Sequence, residues 1–159
     1  MTVTAVIGVQ WGDEAKGKIV DLISKNAAIV ARYNGGDNAG HTVVNPFGTF
    51  KLRLLPNGFY YPQVACVIGP GVVINLDTLI REIRTVEESG IALAQRLWVS
   101  PRCHVVMPYH PLLEAVYEEA KGASRTGTTS RGIGPVFADK VSYNGLRLAD
   151  LANPEILRG

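Results

Sequence analysis

The chain has 159 residues, of which 47% are hydrophobic and 19% charged, and its net charge is +2. That length suffices for one sizeable core, and the charge is too small to point to nucleic acid or a membrane surface as a partner. No window approaches the ~20 apolar residues of a transmembrane helix, and no Lys/Arg-led apolar leader opens the chain. Val3-Thr4-Ala5-Val6-Ile7, closed by Gly8, is short and β-branched, and predicts a buried strand over 3–8. Gly12-Asp13-Glu14-Ala15-Lys16-Gly17-Lys18 follows, and the spacing after it predicts a helix over 16–24 with Ile19, Leu22 and Ile23 on one face. Ala28 to Tyr33 is a second strand, so the opening reads as a βαβ unit with a right-handed crossover. It runs into a loop of small residues, Asn34 to Thr42, at the carboxyl end of a strand, where open α/β sheets gather ligands.

Thr42-Val43-Val44, a turn over Asn45-Pro46-Phe47-Gly48, and the run Thr49 to Leu55 predict a hairpin. Val64 to Ile68 is a strand that Gly69-Pro70-Gly71 turns. Asn75 or Asp77 caps a helix with Leu76, Leu79, Ile80 and Ile83 inward, and Gly90 stops it. Leu97 to Ser100 is a further strand. Pro111 to Ala120 suits a helix with Leu112, Leu113, Val116 and Tyr117 inward and Glu114, Glu118 and Glu119 outward. Gly122 to Pro135 holds four glycines, five hydroxyl residues and two arginines. A solvated linker and a phosphate-binding loop both have that composition. Leu148-Ala149-Asp150-Leu151 closes the chain. Cys66 and Cys103 lie in apolar runs and read as buried free thiols of a reducing compartment, which suits the cytoplasm.

Gly12-x-x-x-x-Gly17-Lys18 has the spacing of a P-loop, with Ile19 where a Ser or Thr would ligate magnesium. A metal here needs another protein ligand, and Asp13 is the candidate. Lys16 and Lys18 oppose the dipole of the helix they open, a placement that a bound polyanion explains. Asp13 and Glu14 favour that dipole; Glu14 reads as structural. Asp13 inside a phosphate loop instead suits a metal bridge or a base. His41 lies between glycine and threonine in the second loop. His104 and His110 read as structural.

Gln10 to Lys18, Gly35 to Thr42 and Gly127 to Pro135, in this order and spacing, resemble adenylosuccinate synthetase. The resemblance runs on through Asp139-Lys140-Val141 and Gly145-Leu146-Arg147. It covers this whole chain and only the amino-terminal part of the family's much longer one, so residues 1–159 are expected to be part of a single domain. It implies an α/β, P-loop-like, mostly parallel sheet with flanking helices and a β-hairpin insertion, truncated relative to the family. It implies a GTP-dependent ligase of the AMP branch of purine synthesis, joining IMP to L-aspartate by way of 6-phosphoryl-IMP, with Mg2+ and a homodimer. By that resemblance Asp13 and His41 are catalytic, as base and acid. Gly12 to Lys18 and Gly40 to Thr42 contact GTP. Asp13, Glu14, Ala15, Lys16, Asn38, Ala39, Gly40, His41 and Thr129 contact IMP, and Asp13 and the Gly40 carbonyl hold the metal.

Two residues depart from the family pattern. Ala15 replaces a glycine, and a Cβ there costs roughly 1 kcal/mol or more if φ is positive. Tyr143 replaces an arginine that reaches the neighbouring subunit's IMP phosphate. The family's guanine- and aspartate-binding segments lie beyond Gly159, so a chain ending there is expected to lack complete ligase activity. The rival reading is a non-catalytic, phosphate-binding or dimerising remnant. A phage-type relative acting on dGMP is a second rival; it replaces the catalytic aspartate, which this chain retains as Asp13.

Overall fold

The computed structural model describes residues 2–10 and 14–158. Three strands lie side by side in the order β1-β4-β5: β1 is Ile29–Gly35, β4 Ala65–Ile74 and β5 Leu97–Val99. Both pairings are parallel, and the two-residue β6, His104–Val105, joins the far end of β4 in parallel. β2, His41–Asn45, and β3, Gly48–Leu52, form a separate antiparallel hairpin. Among the described residues four α-helices complete the frame: α1 Lys16–Ser24, α2 Leu76–Glu88, α3 Tyr109–Ala120 and α4 Ile133–Ser142. This is the mixed α/β architecture with a parallel sheet, flanking helices and a hairpin that the family resemblance implies.

β4 is the buried centre, with Cys66, Ile68, Val72, Val73 and Ile74 shut from solvent. A parallel strand covered on both faces needs such a near-continuous apolar run. The main core joins Cys66, Ile68, Val72 and Ile74 to Phe50, Leu52, Leu54, Leu55 and Phe59 from the hairpin side and to Leu79 and Val86 of α2, while Val73 packs with Val106 and Val136 in a second, smaller cluster. Asn75 caps α2, its Oδ1 accepting from Thr78 N at 3.0 Å. The buried Glu82 carboxylate of the same helix accepts the backbone N–H groups of Arg53, Leu54 and Leu55 at 2.6, 3.0 and 2.9 Å. That carboxylate fastens the chain leaving β3 to α2. Cys66 and Cys103 are buried and free, as expected.

Several expected features differ. Residues 3–8 form no strand, and Val3, Ile7 and Val9 are exposed, so the chain opens on α1 and β1 without a βαβ unit. β1 is an edge among the described residues, and β propensity yields a strand only where a neighbour and a covering layer receive it. Gly69-Pro70-Gly71 does not turn the chain; β4 runs straight through it. Arg32 pairs with Ile68 and Asn34 with Gly71, so two residues of β4 face Tyr33 alone in a β-bulge. Pro70, which has no N–H to give, occupies the unpaired place.

The helix faces differ as well. Ile80 points outward on α2, and Ile19, Leu22 and Ile23 of α1 face solvent. On α3 the expected order is inverted: Leu112, Val116 and Tyr117 are exposed while His110 and Glu114 are buried. The cause is polar pairing across to α4. Glu114 Oε2 accepts from Gly132 N at 2.8 Å, and His110 Nε2 lies 3.0 Å from Asp139 Oδ2 while its Nδ1 accepts from Met107 N. Both histidines outside the second loop, His104 and His110, are buried in structural positions.

Candidate functional site

A cleft of about 690 Å³ opens where β1 ends and α1 begins. Ala15, Lys16 and Gly17 line one side, and Gly35, Ala39, Gly40 and His41 the other. Val6, Ile7, Val20 and Leu55 supply apolar wall, and Arg32 and Asn57 polar groups. The helix N-terminus presents backbone N–H groups and positive dipole to this space, the arrangement that suits an anion.

Ala15 enters α1 in the left-handed region, at φ 58° and ψ 34°, so this position does require positive φ. Glu14 Oε1 accepts from Gln10 N at 2.9 Å and its Oε2 pairs with Lys16 Nζ at 2.7 Å. Gly17 lies so close to the His41 ring that a Cβ there would stand 3.2 Å from the His41 Cβ. Asn57 Nδ2 donates to the Gly17 carbonyl at 2.7 Å and fixes that approach. The first two loops therefore meet through Gly17 and His41.

His41 Nε2 is buried and without a hydrogen-bond partner. Burial, aided by the Arg32 guanidinium, brings its pKa from the usual 6.5 down to about 4. Arg32 donates to the Arg53 and Gly36 carbonyls, the latter at 2.6 Å, and so clamps the end of β1 to the chain after β3. Arg53 in turn donates to the Asp37 carbonyl at 3.0 Å. The Asp37 carboxylate is wholly buried; Arg131 and the Thr78 hydroxyl donate to its Oδ2 at 2.9 and 3.0 Å. Arg131 thereby ties the third glycine-rich stretch to the second.

Of the residues expected to act, Ala15, Lys16, Gly17, Ala39, Gly40 and His41 come together around the cleft. Glu14, Lys18, Asn38, Thr42 and Thr129 are not among its lining residues, and Thr129 lies in the exposed stretch 121–130. Gly12 and Asp13 lie outside the described residues. Arg32, Asn57 and Glu82 have structural work here that periodicity does not reveal, although an arginine inside an apolar strand is itself a signal. Among the described residues no three His, Cys, Asp or Glu side chains converge as a metal site. Magnesium needs little more than one or two protein oxygens beside phosphate, so the donor type at Asp13 and Gly40 fits it, and the geometry at Asp13 lies outside the described residues.

The parallel sheet, the flanking helices and the strand-end cleft beside a helix N-terminus define an open α/β protein. The family model for adenylosuccinate synthetase matches residues 5–159. This chain belongs to the adenylosuccinate synthetase family. It is 52% identical over 158 residues to the adenylosuccinate synthetase of Dehalococcoides mccartyi strain BAV1, covering 99% of this chain and 37% of the relative. The chain thus spans little more than a third of that relative's length. The structure of fully ligated adenylosuccinate synthetase from Plasmodium falciparum superposes with a TM-score of 0.81 at 39% identity, covering 93% of this chain and 35% of that one. A cyanophage S-2L succinoaminodeoxyadenylate synthetase bound to dGMP and dATP superposes with a TM-score of 0.63 at 29% identity, covering 88% of this chain and 39% of that one.

Proposed function

We propose that residues 1–159 are the amino-terminal, phosphate-holding part of a single-domain GTP-dependent ligase that joins IMP to L-aspartate. The products are adenylosuccinate, GDP and phosphate. The observation that supports this most is the contact between Gly17 and the His41 ring, which joins the first two family motifs in one cleft at a helix N-terminus. In this reading Asp13 takes the N1 proton of IMP, and the purine 6-oxygen attacks the γ-phosphate of GTP. The aspartate amine then displaces the 6-phosphoryl group as phosphate. His41 donates a proton toward charge building on the GTP phosphates. Its low pKa rises when a polyanion beside the ring offsets the charge of Arg32. Lys16 leaves Glu14 for phosphate, and Gly12, Glu14 to Lys18, Gly40 and Thr42 frame GTP. Asn38, Ala39 and Thr129 complete the IMP side. Asp13 and the Gly40 carbonyl would hold a magnesium ion, whose charge offsets that of the phosphates. The setting is a cytoplasmic homodimer.

The cleft itself, lined by Ala15 to Gly17 and Ala39 to His41, offers groups suited to phosphate, which favours a second reading in which residues 1–159 bind nucleotide phosphate without turnover. Calorimetric titration with GTP and magnesium is expected to show binding that inorganic triphosphate displaces. No heat would remove the phosphate-holding role. Phosphate release that requires GTP, IMP, aspartate and magnesium together would establish the ligase in this chain. Release no higher than the blank leaves it with binding alone.

A further inference from the structure

Asp37 is a carboxylate with no exposure at all, and burying such a charge is costly unless it is paired. Its charged partner, Arg131, lies 94 residues away. Arg131 stands at a boundary in the chain. After it, Gly132 is fixed: its N–H reaches Glu114, and a Cβ would collide with His110. Before it, residues 121–130 are exposed, and among the described residues their bonds are local, such as those from Lys121 and Gly127 to Glu118 and from Lys121 to Thr126. Ser130 adopts φ 55°, a left-handed turn that a side-chain residue keeps only when its surroundings enforce it. The Arg131–Asp37 pair is the adjacent restraint, and Asp37 immediately precedes Asn38.

We infer that Asp37 is a positioning residue of the proposed site: by holding Arg131 it ties the 125–130 arm, with Thr129, to the Asn38–His41 loop. This rests on the reading of the site given above. Asp37 itself touches no substrate; its neighbours in sequence and through Arg131 do. Losing the pair frees Arg131, relaxes the Ser130 turn and spoils the IMP side of the cleft while the GTP side, framed by α1 and Gly40, is untouched.

The test uses Asp37→Asn, Arg131→Gln and the double variant. Phenylglyoxal labelling of each arginine, read by mass spectrometry, reports the pair. In Asp37→Asn the labelling rate of Arg131 relative to Arg125 should rise about tenfold, as loss of a charge-assisted hydrogen bond implies. Arg32 and Arg96, which are held by backbone carbonyls, should stay slow and so exclude general unfolding. IMP affinity should fall about tenfold in each single variant and no further in the double, because both remove one interaction; GTP affinity should not change. Arg131→Lys, which keeps a donor for Asp37, should restore most of the IMP affinity. An unchanged labelling ratio overturns the pairing. A raised ratio with unaltered IMP affinity overturns the positioning role. A wild-type chain that labels as expected yet binds no IMP overturns the proposed function, and the positioning role falls with it.

Discussion

Ala15 opens α1 in the left-handed region, which an L side chain enters at a cost of roughly 1–2 kcal/mol. Ala15→Gly removes that strain and adds backbone freedom to the unfolded chain, so the two effects oppose each other. Urea denaturation should show the glycine variant no less stable, with a gain of up to about 1 kcal/mol. Ala15→Val, stiffer at χ1, should lose at least as much again. His41 gives a pH signature of its own. Burial depresses its folded pKa to about 4, so between pH 4 and 6.5 the unfolded chain binds more protons than the folded one. Its contribution is complete above pH 6.5 and is lost as pH falls through that window. Proton NMR of the His41 ring should give an apparent pKa near 4 in the free chain and a higher one with GTP present. A free value near 6.5 would place the ring in solvent. Ala15 as a misfit was legible only through the family resemblance, whose pattern has glycine at that position. The Asp37–Arg131 pair was not: an ion pair across 94 residues leaves no periodic trace.

At the scale of elements, the sequence misleads where an apolar or glycine pattern has two physical uses. Gly69-Pro70-Gly71 has the composition of a turn, yet here it lets β4 pass close to β1 at the bulge. A Cβ on Gly71 would sit 2.0 Å from the Tyr33 carbonyl oxygen. Gly71→Ala should therefore split the β1–β4 ladder at its centre, with a loss of more than about 3 kcal/mol and a large fall in Tm. A turn would tolerate the alanine, so an unchanged Tm would contradict the strand. The hairpin, α2 with its Asn75 cap, and the strand from Ile29 were legible because turn residues, capping and periodicity agree in each. α3 was misread because its inward face carries Glu114 and His110, whose partners on α4 make polar burial favourable. α4 itself went unread, lying behind a loop whose glycines masked its start.

Over the whole molecule, large apolar side chains remain uncovered on α1, which opens at the site, and on α3, which lies outside it. Leu22 of α1 is 76% exposed and Val116 of α3 60%, with Ile19, Leu112 and Tyr117 beside them on the same helices. Val3, Ile7 and Val9 add to the exposed apolar area. Soluble monomers rarely leave contiguous patches of more than a few hundred Å² uncovered. The folded chain should therefore bind the dye ANS and associate as its concentration rises, while its near-UV circular dichroism shows fixed packing rather than a molten state. Leu22→Glu and Val116→Glu exchange an exposed side chain for one of similar or better helix propensity and leave the core intact. Each should lower both ANS fluorescence and self-association, measured by sedimentation velocity, with Tm within about 2 °C of the parent, since surface changes stay within about 0.5 kcal/mol. A fall in Tm of many degrees would mean that these side chains are packed in solution and that α1 and α3 lie deeper than here. Equal ANS binding in both variants would shift the exposed surface to the stretch from Val3 to Val9.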